Sequence, residues 1–115
     1  MRSAILAVVA ALSLSAPNAA VAASAGETTV RAQIEKAGFN NPRKIGVMAG
    51  ARHYCELQIE QFLEPYWMRI SFTQQNPDHE WSRMIDEAKK TIVVLRKAST
   101  PCDDDFKTYL ERLAY

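Results

Sequence analysis

The sequence is poor in the residues from which metal centres and nucleophilic active sites are built. It holds two histidines, two cysteines and four glycines among 115 residues. It contains no His-Glu-x-x-His motif, no nucleophile elbow, no glycine-rich phosphate loop and no Cys-x-x-Cys-His haem site. We therefore expect no cofactor, no metal and no catalytic residue, and we interpret the protein as not being an enzyme.

An excess of charge of one sign is also missing. Lysine and arginine together number 14, aspartate and glutamate number 13, and the formal net charge is +1. Proteins that bind nucleic acid normally carry a clear basic excess on the binding domain. The balance of charges therefore argues against a nucleic-acid partner.

Long hydrophobic runs are missing except at the start of the chain. Arg2 supplies a positive charge, residues 4–14 are almost wholly apolar, and small residues follow up to Ala22 and Ala25, where a signal peptidase can cut. The run is too short to cross a bilayer, which takes roughly 20 residues. We predict a signal peptide over 1–22 and hence a periplasmic or secreted protein with no stable membrane anchor after cleavage.

Export favours a disulfide between the two cysteines, because disulfides form and persist in oxidising compartments. Cys55 and Cys102 are the only pair that one chain can form, and their bridge would close a loop of 47 residues. The chain-entropy model assigns such a loop about 4 kcal/mol of stabilisation. The alternatives are a redox-active pair or a metal ligand, and no Cys-x-x-Cys spacing supports either. We predict a structural disulfide.

Residues 23–115 predict a single all-α domain of four helices. The first helix follows Thr29 as its cap and stops at Gly38, with apolar residues at helical spacing between them: Val30, Ile34 and Ala37. The second helix is predicted from about Met48 to Glu64. Its inward-facing stripe would consist of Ala51, Cys55, Ile59 and Phe62, with Arg52 among the residues that face water.

The segment 66–72 has an ambiguous pattern. It follows Pro65, and its apolar residues alternate as they would in a strand. No second convincing strand is present to pair with it, so we interpret it as a kinked continuation of the helix and leave the strand alternative open.

Two proline-containing caps predict the last two helices. Asn76-Pro77 opens the third, whose apolar stripe includes Trp81 and Leu95. Thr100-Pro101 opens the fourth, and the aspartates at 103–105 lie in its first turn, where the helix dipole favours negative charge. The disulfide would then join helices two and four inside the core.

The residues that could carry chemistry have structural interpretations that we prefer. His53 and Glu56 have a spacing that can hold a metal, and His79 lies between two carboxylates. Both histidines fall outside the apolar stripes, so we predict that they are solvated. The aspartates at 103–105 point in three directions on a helix, and we interpret them as capping residues rather than as a calcium site.

Tyr66 and Trp67 are our candidate partner contacts. Adjacent residues on a helix point about 100 degrees apart. A domain this small cannot bury every large aromatic, so we expect one of the two at the surface. Exposed large aromatics are the usual anchors of protein partners.

An exported chain with a small helical body and one bridge between its helices resembles the periplasmic acid-stress chaperones of the HdeA type. The resemblance rests on helix content and on the placement of Cys55 and Cys102, and it implies loosening at low pH that exposes apolar surface to client proteins. Our leading expectation is non-enzymatic binding of a protein partner, as an inhibitor, an immunity factor or a chaperone. The alternatives are a metal or small-ligand carrier and a small enzyme that uses His53 with a nearby carboxylate.

Overall fold

A computed structural model describes residues 25–38 and 41–113, and this part of the chain forms five helices and no strand. The helices are α1 (25–36), α2 (Pro42–Tyr54), α3 (Glu60–Thr73), α4 (Pro77–Lys97) and α5 (Asp104–Arg112). The all-α prediction is confirmed, and the segment 66–72 is helical. The four-helix count is wrong, because the helix predicted from Met48 to Glu64 is divided between α2 and α3. The predicted signal peptide, 1–22, lies outside the described residues.

Helix α2 is the centre of the structure. All seven of its residues from Ile45 to Ala51 are buried. One hydrophobic core packs α2 against α1, α4 and α5, and its buried residues are Val30, Ile34, Val47, Met48, Ala51, Cys55, Leu95, Phe106 and Leu110. A second core packs α2 against α3 and α4, and its buried residues are Ile45, Ala49, Tyr66, Ile70 and Met84. A helix that is covered on opposite faces has no polar face to present to water.

Helices α2 and α4 approach each other closely because two glycines of α2 face α4. A Cβ atom at Gly46 would overlap the carbonyl oxygen of Met84, and one at Gly50 would overlap the carbonyl oxygen of Ala88. Glycine at both positions therefore lets the two backbones meet without intervening side chains.

Asparagine followed by proline begins two of the helices. The Asn76 side chain accepts a hydrogen bond from the backbone N–H of His79, with Pro77 at the first helical position as predicted. Asn41 accepts a hydrogen bond from the N–H of Arg43, so α2 begins at Pro42 rather than near Met48. Thr29, predicted as a cap, lies inside α1.

The disulfide between Cys55 and Cys102 is confirmed, with 5.5 Å between the two Cα atoms. Cys55 is the C-terminal cap of α2. Cys102 lies in the loop before α5 and not on a helix, because the helix cap is Asp103, whose side chain accepts a hydrogen bond from the N–H of Phe106 at 2.9 Å. The bridge therefore joins the end of α2 to the loop that leads into α5, and the predicted cap at Thr100 is wrong.

The way α2 ends explains why the predicted second helix is interrupted. Beyond α2, the N–H of Glu56 bonds to the carbonyl of His53 and the N–H of Leu57 to that of Arg52. This pair of bonds is the Schellman motif, which turns the chain away from the helix axis. It requires a left-handed residue, and Glu56 has φ 59°.

Among the described residues, no helix is both long and apolar enough to span a membrane.

Candidate functional site

Helix α3 is covered on one side only. Its buried residues are Tyr66 and Ile70, which pack into the second core. Three large apolar side chains of the same helix reach the surface: Trp67 is 37% exposed, Met68 49% and Phe72 82%. These three residues are called the α3 face below. A cluster of large apolar side chains is unusual on a protein surface, and Phe72 is the most exposed of the three.

Tertiary packing rather than local sequence holds α3 in place. Its cap residue, Ile59, makes no side-chain capping bond. Pro65 lies inside the helix and has no N–H to donate to the carbonyl of Gln61. Helices with weak local signals form when an apolar side is buried, and here Tyr66 and Ile70 supply that side.

A groove of about 570 Å³ lies between α3 and α4, next to the α3 face. Its lining residues are Ile59, Glu60, Leu63, Glu64, Trp67 and Trp81, and it is called the tryptophan groove below. The rings of Trp67 and Trp81 meet edge to face with their centroids 5.1 Å apart. Tyr66 stacks on Trp81 from the core side, with 6.2 Å between centroids. These aromatic contacts hold the wall of the groove in a defined shape.

A smaller cavity adjoins the groove along α4. This cavity of about 190 Å³ shares Ile59 and Leu63 with the groove and extends to Ile85, Ala88 and Ile92. His53 and Lys89 line this second part. An apolar strip thus runs along the junction of α3 and α4, wide at its tryptophan end and narrow at the other.

The two charged residues that line the tryptophan groove, Glu60 and Glu64, are both acidic. Glu60 and Glu64 are exposed, lie one helical turn apart and have no ion-pair partner among the described residues. In the core behind Trp81, burial raises the pKa of the Tyr66 hydroxyl, the Glu80 carboxylate raises it further, and the Arg69 and Arg83 guanidinium groups act in the opposite direction. Tyr66 is therefore a neutral side chain at physiological pH.

Of the two predicted contact residues, only Trp67 is exposed. Tyr66 is 1% exposed and forms part of the second core. Met68 and Phe72 lie near Tyr66 and Trp67 in the sequence but are not among the predicted contacts, and the groove is not predicted. Trp81 was assigned to the core stripe of its helix, and nothing in a single sequence indicates that it packs beside Trp67.

The two histidines give no indication of a shared metal or catalytic site. His53 and His79 are both exposed and lie on different helices, α2 and α4. No group of three or more metal-ligating side chains is found within 25–38 and 41–113. The backbone N–H of His79 donates to the side chain of the cap Asn76, a bond that does not involve the imidazole ring.

Comparisons of the chain with protein-family models, with curated proteins and with solved structures find no match.

Proposed function

We propose that this protein acts by binding another protein through the α3 face and the tryptophan groove. The observation that carries the proposal is the exposure of Trp67, Met68 and Phe72 on one helix beside an apolar groove. Binding energy at protein interfaces is concentrated in a few large side chains that insert into well-packed pockets, and tryptophan is the most enriched of these. Methionine and phenylalanine are also enriched at such interfaces.

We further propose that the protein works outside the cytoplasm, with 1–22 removed as a signal peptide. The Cys55–Cys102 bridge supports this compartment, because disulfides persist where the environment is oxidising. The partner would then be a protein of the same compartment. An inhibitor or an immunity factor acts in this way, since each works by covering a surface of another protein.

The groove belongs to the folded protein, and this distinguishes the proposal from an acid-stress chaperone. A chaperone of the HdeA type would bind clients after its fold has loosened at low pH. Here the aromatic wall of the groove depends on packing of Tyr66, Trp67 and Trp81. We therefore expect binding at neutral pH, and loss of binding when the fold is loosened.

The test begins with the immobilised mature protein and an extract of its own cell envelope at neutral pH. A captured protein is then purified, and the complex is rebuilt from the two pure components to measure its stoichiometry and Kd. We expect a one-to-one complex. In the variant Met68→Ser/Phe72→Ser, we expect binding to be weakened roughly thirtyfold, as for loss of hot-spot residues.

The matched control is Val93→Ser, because Val93 is a 46% exposed apolar residue of α4 that does not line the groove. It should bind as the wild type does. Both variants change exposed positions, so their circular dichroism and melting should stay close to wild type. A complex that forms equally well with the α3-face variant would rule out this surface.

A further inference from the structure

The tryptophan groove combines an apolar floor with an acidic rim. We infer that it accepts a basic amphipathic segment of its partner, one with apolar side chains along one side and two Lys or Arg residues beside them. This inference rests on the proposed function and specifies the chemistry of the partner. It is carried by the position of Glu60 and Glu64 on the same edge as Trp67.

The spacing of the two carboxylates matches the spacing of side chains on a helix. Glu60 and Glu64 are four residues apart on α3, and side chains at that spacing lie about 5–6 Å apart on one face. A partner helix with two basic residues one turn apart presents its charges at the same interval. Both carboxylates are free to pair, since neither has an ion-pair partner among the described residues.

The aromatic wall suits a basic side chain as well as an apolar one. Lys and Arg have long apolar stems that lie along hydrophobic surface while the charged head remains in water. Cations are also attracted to the face of a tryptophan ring. A basic residue can therefore lay its stem against Trp67 and place its charge beside Glu64, both of which line the groove.

The opposite end of the strip has the opposite charge. Lys89 lines the narrow part of the strip, where α4 runs on towards Ile92. A segment lying along the strip thus meets negative charge at the tryptophan end and positive charge at the other. This gives the bound segment one preferred direction, with its basic residues over Glu60 and Glu64.

Intrinsic fluorescence gives a direct measurement of the site. The chain has two tryptophans, and both line the groove. The probes are three tryptophan-free helical peptides of about fourteen residues that share an i, i+3, i+7 design. The first has leucines at those positions and two lysines one turn apart beside them. The second replaces the lysines with glutamates, and the third keeps the lysines and replaces the leucines with serines.

We expect the first peptide to bind at least about tenfold more tightly than either of the others at low salt, with the advantage over the second reduced at high salt. In the variant Glu60→Gln/Glu64→Gln, the difference between the first and second peptides should fall to about twofold or less. The matched control, Asp86→Asn/Glu111→Gln, changes two exposed carboxylates outside the groove and should keep the preference.

Three results would overturn the inference. One is equal binding of the lysine and glutamate peptides to the wild type. Another is a preference that survives in Glu60→Gln/Glu64→Gln. The third is a wild-type protein that binds none of the peptides and sediments as a dimer, while Met68→Ser/Phe72→Ser sediments as a monomer. The groove would then be covered by a second copy of the chain. The proposed function fails separately, when loss of the α3 face leaves the purified complex intact.

Discussion

Glu56 and Ser99 hold a backbone conformation that L-amino acids rarely adopt, with φ of 59° and 50°. Each occupies the left-handed position of a Schellman motif: the N–H of Ser99 bonds to the carbonyl of Arg96 and that of Thr100 to Leu95, as Glu56 and Leu57 do after α2. Glycine is the usual residue there because it has no Cβ to clash. The absence of glycine is also why the sequence showed no helix end at Tyr54.

We predict that Glu56→Gly and Ser99→Gly each raise the free energy of unfolding by about 0.5–1 kcal/mol, because relief of the left-handed strain exceeds the added entropy of the unfolded chain. Urea denaturation measures the change. The matched control is Ser82→Gly in the interior of α4, where glycine should lower the free energy of unfolding by about 0.5 kcal/mol. If all three substitutions were destabilising, the strain argument would be wrong.

Arg52 shows how a charged residue can be structural. The sequence places it beside an apolar stripe, and the natural expectation is a solvated side chain. In the structure its Nε donates to the carbonyl of Gln58 at 2.9 Å and its Nη1 to that of Leu110 at 3.1 Å. The guanidinium carbon lies 4.6 Å from the centre of the Phe62 ring. Arg52 thereby links α2 to the loop after it, to α3 and to the end of α5.

We predict that Arg52→Lys lowers the free energy of unfolding by about 1–3 kcal/mol. A lysine has one nitrogen and cannot reproduce two bonds in different directions, and a lost bond to a charged donor is costly. Arg96→Lys, at an exposed position of α4, is the control and should change stability by no more than about 0.5 kcal/mol. Equal urea midpoints for the two variants would contradict a linking role for Arg52.

At the scale of elements, what could be predicted depended on how each helix is buried. Helix α4 has one face in the core and one in water, so its apolar stripe could be recognised in the sequence. Its start could be predicted as well, because the Asn76-Pro77 cap is a local signal. Helix α2 is buried on opposite faces, so no single apolar stripe marks its length, and the prediction placed its start and end wrongly. The candidate site could likewise be predicted only in part. Trp67 could be proposed from its adjacency to Tyr66, whereas the groove depends on how α3 lies against α4.

The contact between α2 and α4 gives a prediction for the glycines of α2. Gly46→Ala and Gly50→Ala should each lower the free energy of unfolding by about 1–3 kcal/mol, because each new methyl group meets a backbone carbonyl that cannot move aside cheaply. Gly38→Ala is the control. Its added Cβ would have no atom within 4 Å, and its stability should be unchanged or slightly raised. Thermal melts of the three variants would decide, and an unaffected Gly50→Ala would mean that the helices are farther apart.

The whole molecule should lose stability at alkaline pH. Burial raises the pKa of Tyr66 and of Tyr109 above 10.0, the Glu80 and Glu35 carboxylates add to the respective shifts, and nearby arginines oppose them. Well below pH 10 both tyrosines are neutral in the folded and in the unfolded protein. As the pH approaches and passes 10 the unfolded chain ionises first, so stability falls as the pH rises towards the higher folded pKa values.

Melting temperatures measured between about pH 9 and pH 11.5 would show this fall, with tyrosinate absorbance as the second readout. In Tyr66→Phe/Tyr109→Phe the fall should be shallower. Ionisation of lysines acts on both proteins alike, so the difference between the curves isolates the two buried hydroxyls. Curves of the same steepness would show that neither tyrosine contributes.

The disulfide determines how the whole molecule responds to reduction. The bridge from Cys55 to Cys102 encloses α3 and α4, the two helices that form the tryptophan groove. We predict that reduction lowers the free energy of unfolding by about 4 kcal/mol, the chain-entropy value for this loop. Helix α3 has weak local signals and two buried residues, so we expect it to loosen first in the reduced protein. The fluorescence emission of Trp67 and Trp81 should then shift to longer wavelength at a lower urea concentration than the one at which helical circular dichroism is lost. Cys55→Ser/Cys102→Ser should reproduce the reduced protein without reductant. Coincident fluorescence and circular dichroism transitions would show instead that α3 is held as firmly as the rest of the fold.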